Sequence, residues 1–142
     1  GLPHRLQVCG EVRGYRFIND SKATSPGAVL EAIRAMSEGQ PLTLILQGTP
    51  VADMSDVFAL AKKRCCRVIL IGEMRGLTDT EQIDIEVIQV ESLTRYFESL
   101  KILDSSQLFS PGAPSYGQYS NYEQRGQDFI LGTERLMNLG IS

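Results

Sequence analysis

Asp20, Ser21, Lys22 and Thr24 stand together in the stretch FINDSKATSPGAVLEAI, residues 17–33, where a run suited to a buried strand gives way to an amphipathic pattern. An ammonium group beside hydroxyls and the free amides of a helix start is a receiver for carboxylate or phosphate oxygen. The same residues also suit a plain strand-to-helix turn, with Asn19 or Asp20 bonding the backbone and Ser25 capping the helix. Elsewhere the chemistry is thin. There is no G-x-x-x-x-G-K followed by Ser or Thr, no G-x-G-x-x-G after a strand, no G-x-S-x-G elbow and no Cys-x-x-Cys. The single histidine, His4, lies near the start of the sequence. ATP hydrolysis by this chain alone and self-contained nucleophilic catalysis are therefore not expected.

The elements that must position this cluster follow from periodicity. RLQVCGEVRGYRFI reads as two short strands meeting near Arg13 and Gly14, an antiparallel hairpin. LTLILQG and RVILIG are continuous apolar runs ended by glycine, as expected of strands covered on both faces, and IEVIQV and SQLFS are weaker members of the series. Helical patterns lie between them. Ser25 caps the first, Pro26 takes its first position, Val29, Ile33 and Met36 form its inner stripe, and Gly39 stops it. A second helix follows Ser55 with Val57, Leu60 and Ala61 inward, and a third occupies 92–101 with Leu93, Tyr96, Phe97 and Leu100. The last begins near Asn121, carries Phe129, Ile130, Leu136 and Met137, and ends at Gly140. This alternation predicts a Rossmann-like α/β fold: three layers, with helices flanking a mostly parallel sheet entered through an N-terminal antiparallel hairpin. Ligands of such sheets sit at the carboxyl ends of the strands. The loops there are NDSKATSPG, QGTPVADMS, GEMRGLTD and SPGAPSYGQYSNYEQRG.

At 142 residues, 42% hydrophobic and 22% charged, the sequence suits one globular domain able to bury a core without metal or disulfide staples. A net charge of −3 gives no electrostatic pull toward nucleic acid or an anionic membrane. No apolar stretch approaches a bilayer's thickness and the first residues lack a signal-peptide layout, so a cytoplasmic setting is expected. Three cysteines, two of them adjacent, with one histidine suggest neither a disulfide framework nor a zinc site.

Three separated motifs in register, GLPHR at 1–5, FINDSKATSPGA at 17–28 and SPGAPSYGQYSNYEQRGQDF at 110–129, resemble the C-terminal domain of the Mur ligases, most closely its D-glutamate-adding branch. The resemblance covers residues 1–142 as one amino-acid-binding domain, and implies that an N-terminal domain and a central ATPase domain belong to the same polypeptide. It implies ATP and magnesium as cofactors held mainly by that central domain, with none bound tightly by this one. D-glutamate, ATP and UDP-N-acetylmuramoyl-L-alanine are the implied ligands, and an acyl phosphate attacked by the D-glutamate amine is the implied chemistry of peptidoglycan synthesis. By the resemblance, Arg5 and Asp20 reach ATP, with Asp20 at the ribose. Lys22 is the catalytic cation near the transferring phosphoryl group, and Thr24, Ser115 and Tyr122 bind the amino acid, Tyr122 standing where the family usually has Phe. No metal ligand is assigned, and the isolated domain is expected to be inactive.

The sequence departs from the family pattern at one place that bears on specificity. Where the pattern has a glycine pair and then a lysine for the D-glutamate side chain, this chain reads LILQGTPVADMSD, with Pro50 or Val51 at the lysine position. Losing one charge-assisted bond to a carboxylate removes about 1.5–3 kcal/mol. Either Lys62, Lys63 or Arg75 substitutes, or the amino-acid specificity is lost or changed. A degenerate binding or scaffold domain without ligase activity is the alternative, and an unrelated α/β ligand-binding domain with chance motif matches is the third.

Overall fold

The computed structural model describes residues 3–79 and 84–142. Strands β1 (Gln7–Val12) and β2 (Tyr15–Asn19) form an antiparallel hairpin. Its two-residue turn holds Arg13 at φ 53° and Gly14 at φ 87°, left-handed values that match the right-handed twist of the paired strands. Strands and helices then alternate through α1 (Pro26–Ala35), β3 (Leu42–Gln47), α2 (Ser55–Arg64), β4 (Arg67–Ile71), a 3-10 helix (Gly72–Asp79), β5 (Glu86–Val90), α3 (Leu93–Ser99), β6 (Ser106–Gly112) and α4 (Tyr122–Leu139).

The sheet order is β1-β2-β6-β3-β4-β5, and the pairings β2–β6, β6–β3, β3–β4 and β4–β5 are all parallel. Because side chains alternate along a strand, each strand feeds both faces. Leu44, Leu46, Val68, Leu70 and Leu108 pack with Val29 and Ile33 of α1 and Val57 and Phe58 of α2. Ile45, Ile69, Ile71 and Phe109 pack with Leu93 and Phe97 of α3 and Phe129 and Leu136 of α4. This is the three-layer, Rossmann-like arrangement that the periodicity predicts.

The insertion of β6 between β2 and β3 sets the position of everything functional. Chain leaving β2 and β3 runs to α1 and α2 on one face, whereas chain leaving β6 runs to α4 on the other. Neighbouring loops that part to opposite faces leave a crevice between them. By that rule a crevice is expected on each side of β6 at the carboxyl edge. At the amino end of β4, Arg67 is bidentate to Asp104 at 2.7 and 2.8 Å and bonded to Glu86 at 2.7 Å.

Three sequence expectations are corrected in detail. Helix α1 stops at Ala35 rather than at Gly39. Met36 turns extended, at φ −77° and ψ 149°, and its carbonyl accepts from Arg64 Nη2 at 2.7 Å, so a neighbouring helix satisfies the chain end before glycine is reached. The run GEMRGLTD is a 3-10 helix, not an open loop. Strand β6, read as a weak member of the series, is buried along its whole length between two parallel partners. Among the described residues no helix is long and apolar enough to cross a membrane.

Candidate functional site

The loop after β2 is held by its own backbone before any side chain is considered. Asp20 N–H donates to Phe109 O at 2.8 Å, Ser21 N–H to Asn19 Oδ1 at 3.1 Å, Ala23 N–H to Asp20 O at 2.9 Å and Lys22 N–H to His4 O at 3.0 Å. Ser25 then caps α1 by accepting from Ala28 N–H at 3.3 Å, with Pro26 at the first position. The result leaves the Lys22 side chain exposed and Thr24 half-buried at the mouth of the helix.

The segment before β1 straps this loop down. His4 and Leu6 have φ of 63° and 45°, left-handed values that cost a side-chain-bearing residue on the order of 1–3 kcal/mol unless surrounding contacts impose them. Those contacts are present. His4 is buried, its Nδ1 lies 2.9 Å from Asn19 Nδ2 and 3.2 Å from Ser21 Oγ, and Leu6 N–H donates to Asp20 Oδ1 at 3.2 Å. Between the two strained residues Arg5 is exposed and shares a cleft with Asp20, Lys22, Ala28 and Glu31.

That cleft has a volume of about 100 Å³, well below the few hundred Å³ of an ordinary ligand pocket. The cations Arg5 and Lys22 suit a phosphate or carboxylate, but the space admits one edge of a nucleotide at most. Among the described residues no group of three or more His, Cys, Asp or Glu is placed to hold a metal ion by itself. Both oxygens of Asp20 are engaged, Oδ1 by Leu6 N–H and Oδ2 by Ser110 Oγ at 2.8 Å, and the residue is 5% exposed.

Burial pushes the Asp20 carboxyl upward in pKa, against the hydroxyl of Ser110, the amide of Leu6 and the charge of Arg5, which pull it down. A folded pKa above the unfolded one means that the native state holds more protons in the interval between them. The ionised carboxylate therefore costs stability as pH rises through that interval. Asp20→Asn can still accept from Leu6 N–H and can donate to Ser110. Its melting temperature should exceed the parent's near neutral pH, and the gap should close as pH falls below the ordinary aspartate range, roughly 3.9. A gap that stays constant across a calorimetric pH series would contradict this.

On the other side of β6, the loop 113–121 is tied to two strand ends. Thr49 N–H donates to Pro114 O at 3.1 Å, Gln118 lies against Gly72, and Tyr119 donates to Asp128 Oδ2 on α4. Ser115 is buried, and its carbonyl accepts from Gln118 and Tyr119 N–H at 3.3 and 3.2 Å. Gly112 N–H donates to Ala23 O at 2.8 Å, joining this loop to the Lys22 loop. Asn121 caps α4 by accepting from Gln124 N–H at 2.9 Å, and the next residue, Tyr122, meets the His4 ring edge-on at 6.1 Å.

The structure thus gathers Arg5, Asp20 and Lys22 in one cleft, brings Tyr122 to its strap through His4, and sets Ser115 across β6 at the same edge. The cations considered as substitutes divide. Lys62 and Lys63 sit in the last turn of α2, Lys62 3.8 Å from Asp84 and Lys63 in a hollow with Glu38 and Gln40, at the end remote from the β3–α2 loop. Arg75 lies on the correct edge, after β4, with Nε donating to Gly72 O at 2.9 Å.

Two residues carry more than the sequence reading gave them. His4 is a central strap contact, although nothing in GLPHR marks it beyond being the only histidine. Whereas its neighbour Glu123 is exposed, Arg125 is 0% exposed. Its Nη1 donates to Gln47 O at 3.1 Å and its Nη2 to Ser21 O at 3.4 Å, and burial draws its pKa down to about 10. The signal was available, because Arg125 shares the inward stripe of α4 with Phe129, Thr133 and Leu136 at helical spacing.

A family model described as Mur ligase, glutamate ligase domain, matches residues 4–107. The UDP-N-acetylmuramoylalanine--D-glutamate ligase of Leptospira borgpetersenii serovar Hardjo-bovis (strain JB197) is 34% identical over 161 residues, an overlap of 97% of this chain and 35% of the relative. The enzyme of that name from Gloeobacter violaceus is 38% identical over 138 residues, covering 91% of this chain and 31% of its own. Among solved structures, UDP-N-acetylmuramate-alanine ligase from Thermotoga maritima superposes with a TM-score of 0.66 at 12% identity, over 99% of this chain and 31% of that one; at that identity the likeness is one of fold. The chain spans about a third of the length of the curated relatives it matches.

Proposed function

The chain belongs to the glutamate ligase domain family of the Mur ligases, and from that premise we propose that it is the C-terminal, acceptor-binding domain of a cytoplasmic ATP-dependent ligase joining D-glutamate to UDP-N-acetylmuramoyl-L-alanine in peptidoglycan synthesis. The observation that carries the reading is the cleft at the carboxyl edge, where Lys22 and Arg5 project from a loop and strap held rigid by main-chain bonds, in a space too small to be a whole site. A neighbouring nucleotide-holding domain of the same polypeptide would complete it.

In this reading ATP supplies the phosphoryl group that activates the alanyl carboxylate, and the amine of D-glutamate then attacks the acyl phosphate. The chain's own residues bind and orient. Lys22 faces the oxygens on which negative charge grows, where a fixed ammonium is worth more than in water. Thr24 and Ser115 offer hydroxyls to the amino acid from the two sides of β6, with Tyr122 beside the strap. Arg5 reaches the nucleotide phosphates, and Asp20, besides clamping strap to strand, has lone pairs left for a ribose hydroxyl. Holding both partners in attacking geometry removes the entropy of their encounter from the barrier.

A specific observation favours the second reading, a Mur-ligase-like scaffold without turnover. The loop 48–54 contains no cation, and Lys62 and Lys63 stand at the far end of α2. Ligation by the full-length protein, followed as phosphate release with ATP, D-glutamate and UDP-N-acetylmuramoyl-L-alanine, separates the two. Turnover that requires D-glutamate supports the ligase; none at millimolar D-glutamate supports the scaffold. For the 142-residue chain alone, calorimetry should detect no D-glutamate binding below the millimolar range, since half of the site is missing. A micromolar Kd would overturn the shared-site reading.

A further inference from the structure

Among the described residues Arg125 is the largest fully buried side chain by volume, and neither of its acceptors is a carboxylate. Taking a guanidinium out of water without a counter-ion is expensive, and a well-packed apolar residue of similar size usually serves stability as well or better. Filling space does not account for it. Its Nε and the nearby Gln47 Oε1 have no hydrogen-bond partner among the described residues, so the group is placed by its two carbonyl bonds rather than by full satisfaction of its donors.

Those two carbonyls lie at the ends of strands that do not touch, one just past β2 and one in the last residue of β3. Ser21 follows β2 and immediately precedes Lys22, while Gln47 ends β3 and precedes Gly48; β6 lies between. A planar fork with five donors can hold two separated acceptors at fixed spacing, which the point charge of a lysine cannot. Gly126 brings the same helix backbone against the loop, since a β-carbon there would collide with the His4 ring and Ser21 Oγ. Ser21 is thereby fixed at its amide by Asn19, at its hydroxyl by His4 and at its carbonyl by Arg125.

We propose that Arg125 is a positioning residue that sets the span across β6 between the Lys22 loop and the segment 48–51, so that one bound amino acid meets both loops at once. The inference rests on the acceptor-binding reading above. Arg125→Met and Arg125→Lys in the full-length protein are the test, with KM for D-glutamate, KM for ATP and melting temperature measured for each. Both variants should raise KM for D-glutamate about tenfold or more and leave KM for ATP within twofold. Restoration by Lys would assign the role to charge alone and overturn the fork, as would a D-glutamate KM within twofold of the parent in Arg125→Met. Should Arg125→Met not fold, Arg125→Lys decides by the same comparison.

Amide hydrogen exchange on the 142-residue chain gives a readout that needs no substrate. In Arg125→Lys the amides of Lys22 and Thr49 should exchange at least tenfold faster while that of Leu44 in the sheet centre is unchanged; uniform acceleration would mark a merely structural role and overturn the proposal. If the parent protein fails to ligate D-glutamate, the functional reading falls, and the exchange pattern still decides whether Arg125 spans the crevice.

Discussion

Replacing Lys22 by alanine in the full-length protein is expected to lower the turnover of ligation by about 10²–10³-fold, the usual loss when one preorganised charge-stabilising donor is removed from a reacting centre. The variant should melt within a degree or two of the parent. Both halves follow from how the loop is built. The Lys22 main chain is held by its amide bond to His4 O and by the neighbouring bonds of Asp20, Ser21 and Ala23, none of which involves the ammonium. The side chain is exposed, so truncation leaves no cavity. What disappears is a cation beside the mouth of α1, in the cleft shared with Arg5. Steady-state kinetics with a parallel thermal melt would check it. Turnover within threefold of the parent would remove Lys22 from the chemistry and turn attention to Arg5, the other cation lining that cleft. Lys22→Arg should recover only part of the loss, because a planar fork on a longer stem does not place its charge where a compact ammonium does.

The sheet was legible where apolar residues are continuous. LTLILQ and RVILI are almost free of polar atoms and could only be covered strands. The central strand β6 read weakly because Ser106, Gln107 and Ser110 break its apolar run. Each has a partner supplied by the fold. Ser106 Oγ accepts from Arg16 N–H at 3.0 Å, Gln107 accepts from the Tyr96 hydroxyl, and Ser110 donates to Asp20. Polar groups can be buried at little cost when hydrogen-bonded, but a linear sequence does not show partners 11 to 90 positions away. The same limit applies to the site. The cluster at 20–24 was visible because its residues are adjacent, and Ser115 and Tyr122 entered only through the family resemblance. Arg125 has no such adjacency to mark it, and only its helical register with Phe129 places it inside. His4 was passed over since its role depends on a left-handed turn of chain that no local pattern announced.

Gly48→Ala is expected to be strongly destabilising, and the reason is the crossing of β6 itself. Gly48 follows β3 at φ 123°, a conformation that a residue with a β-carbon adopts only under strain. That β-carbon would meet the Pro114 carbonyl oxygen in hard contact and lie 3.0 Å from Arg125 Nη1. Neither neighbour can retreat freely. Pro114 O accepts the Thr49 amide at 3.1 Å, and Arg125 is held between Gln47 and Ser21. A strained dihedral and an overpacked contact each cost about 1–3 kcal/mol, so their sum is roughly 2–6 kcal/mol, or about 7–20 °C of melting temperature for a domain of this size. Gly27, by contrast, has nothing within 4 Å of its would-be β-carbon and no positive φ. Gly27→Ala lies inside α1 and should gain a few tenths to one kcal/mol from helix propensity. Melting both variants of the 142-residue chain side by side compares them directly, and a Gly48→Ala protein as stable as the parent would mean that the loop after β6 can move away from β3. The crevice would then not be the fixed span that Lys22, Ser115 and Arg125 require.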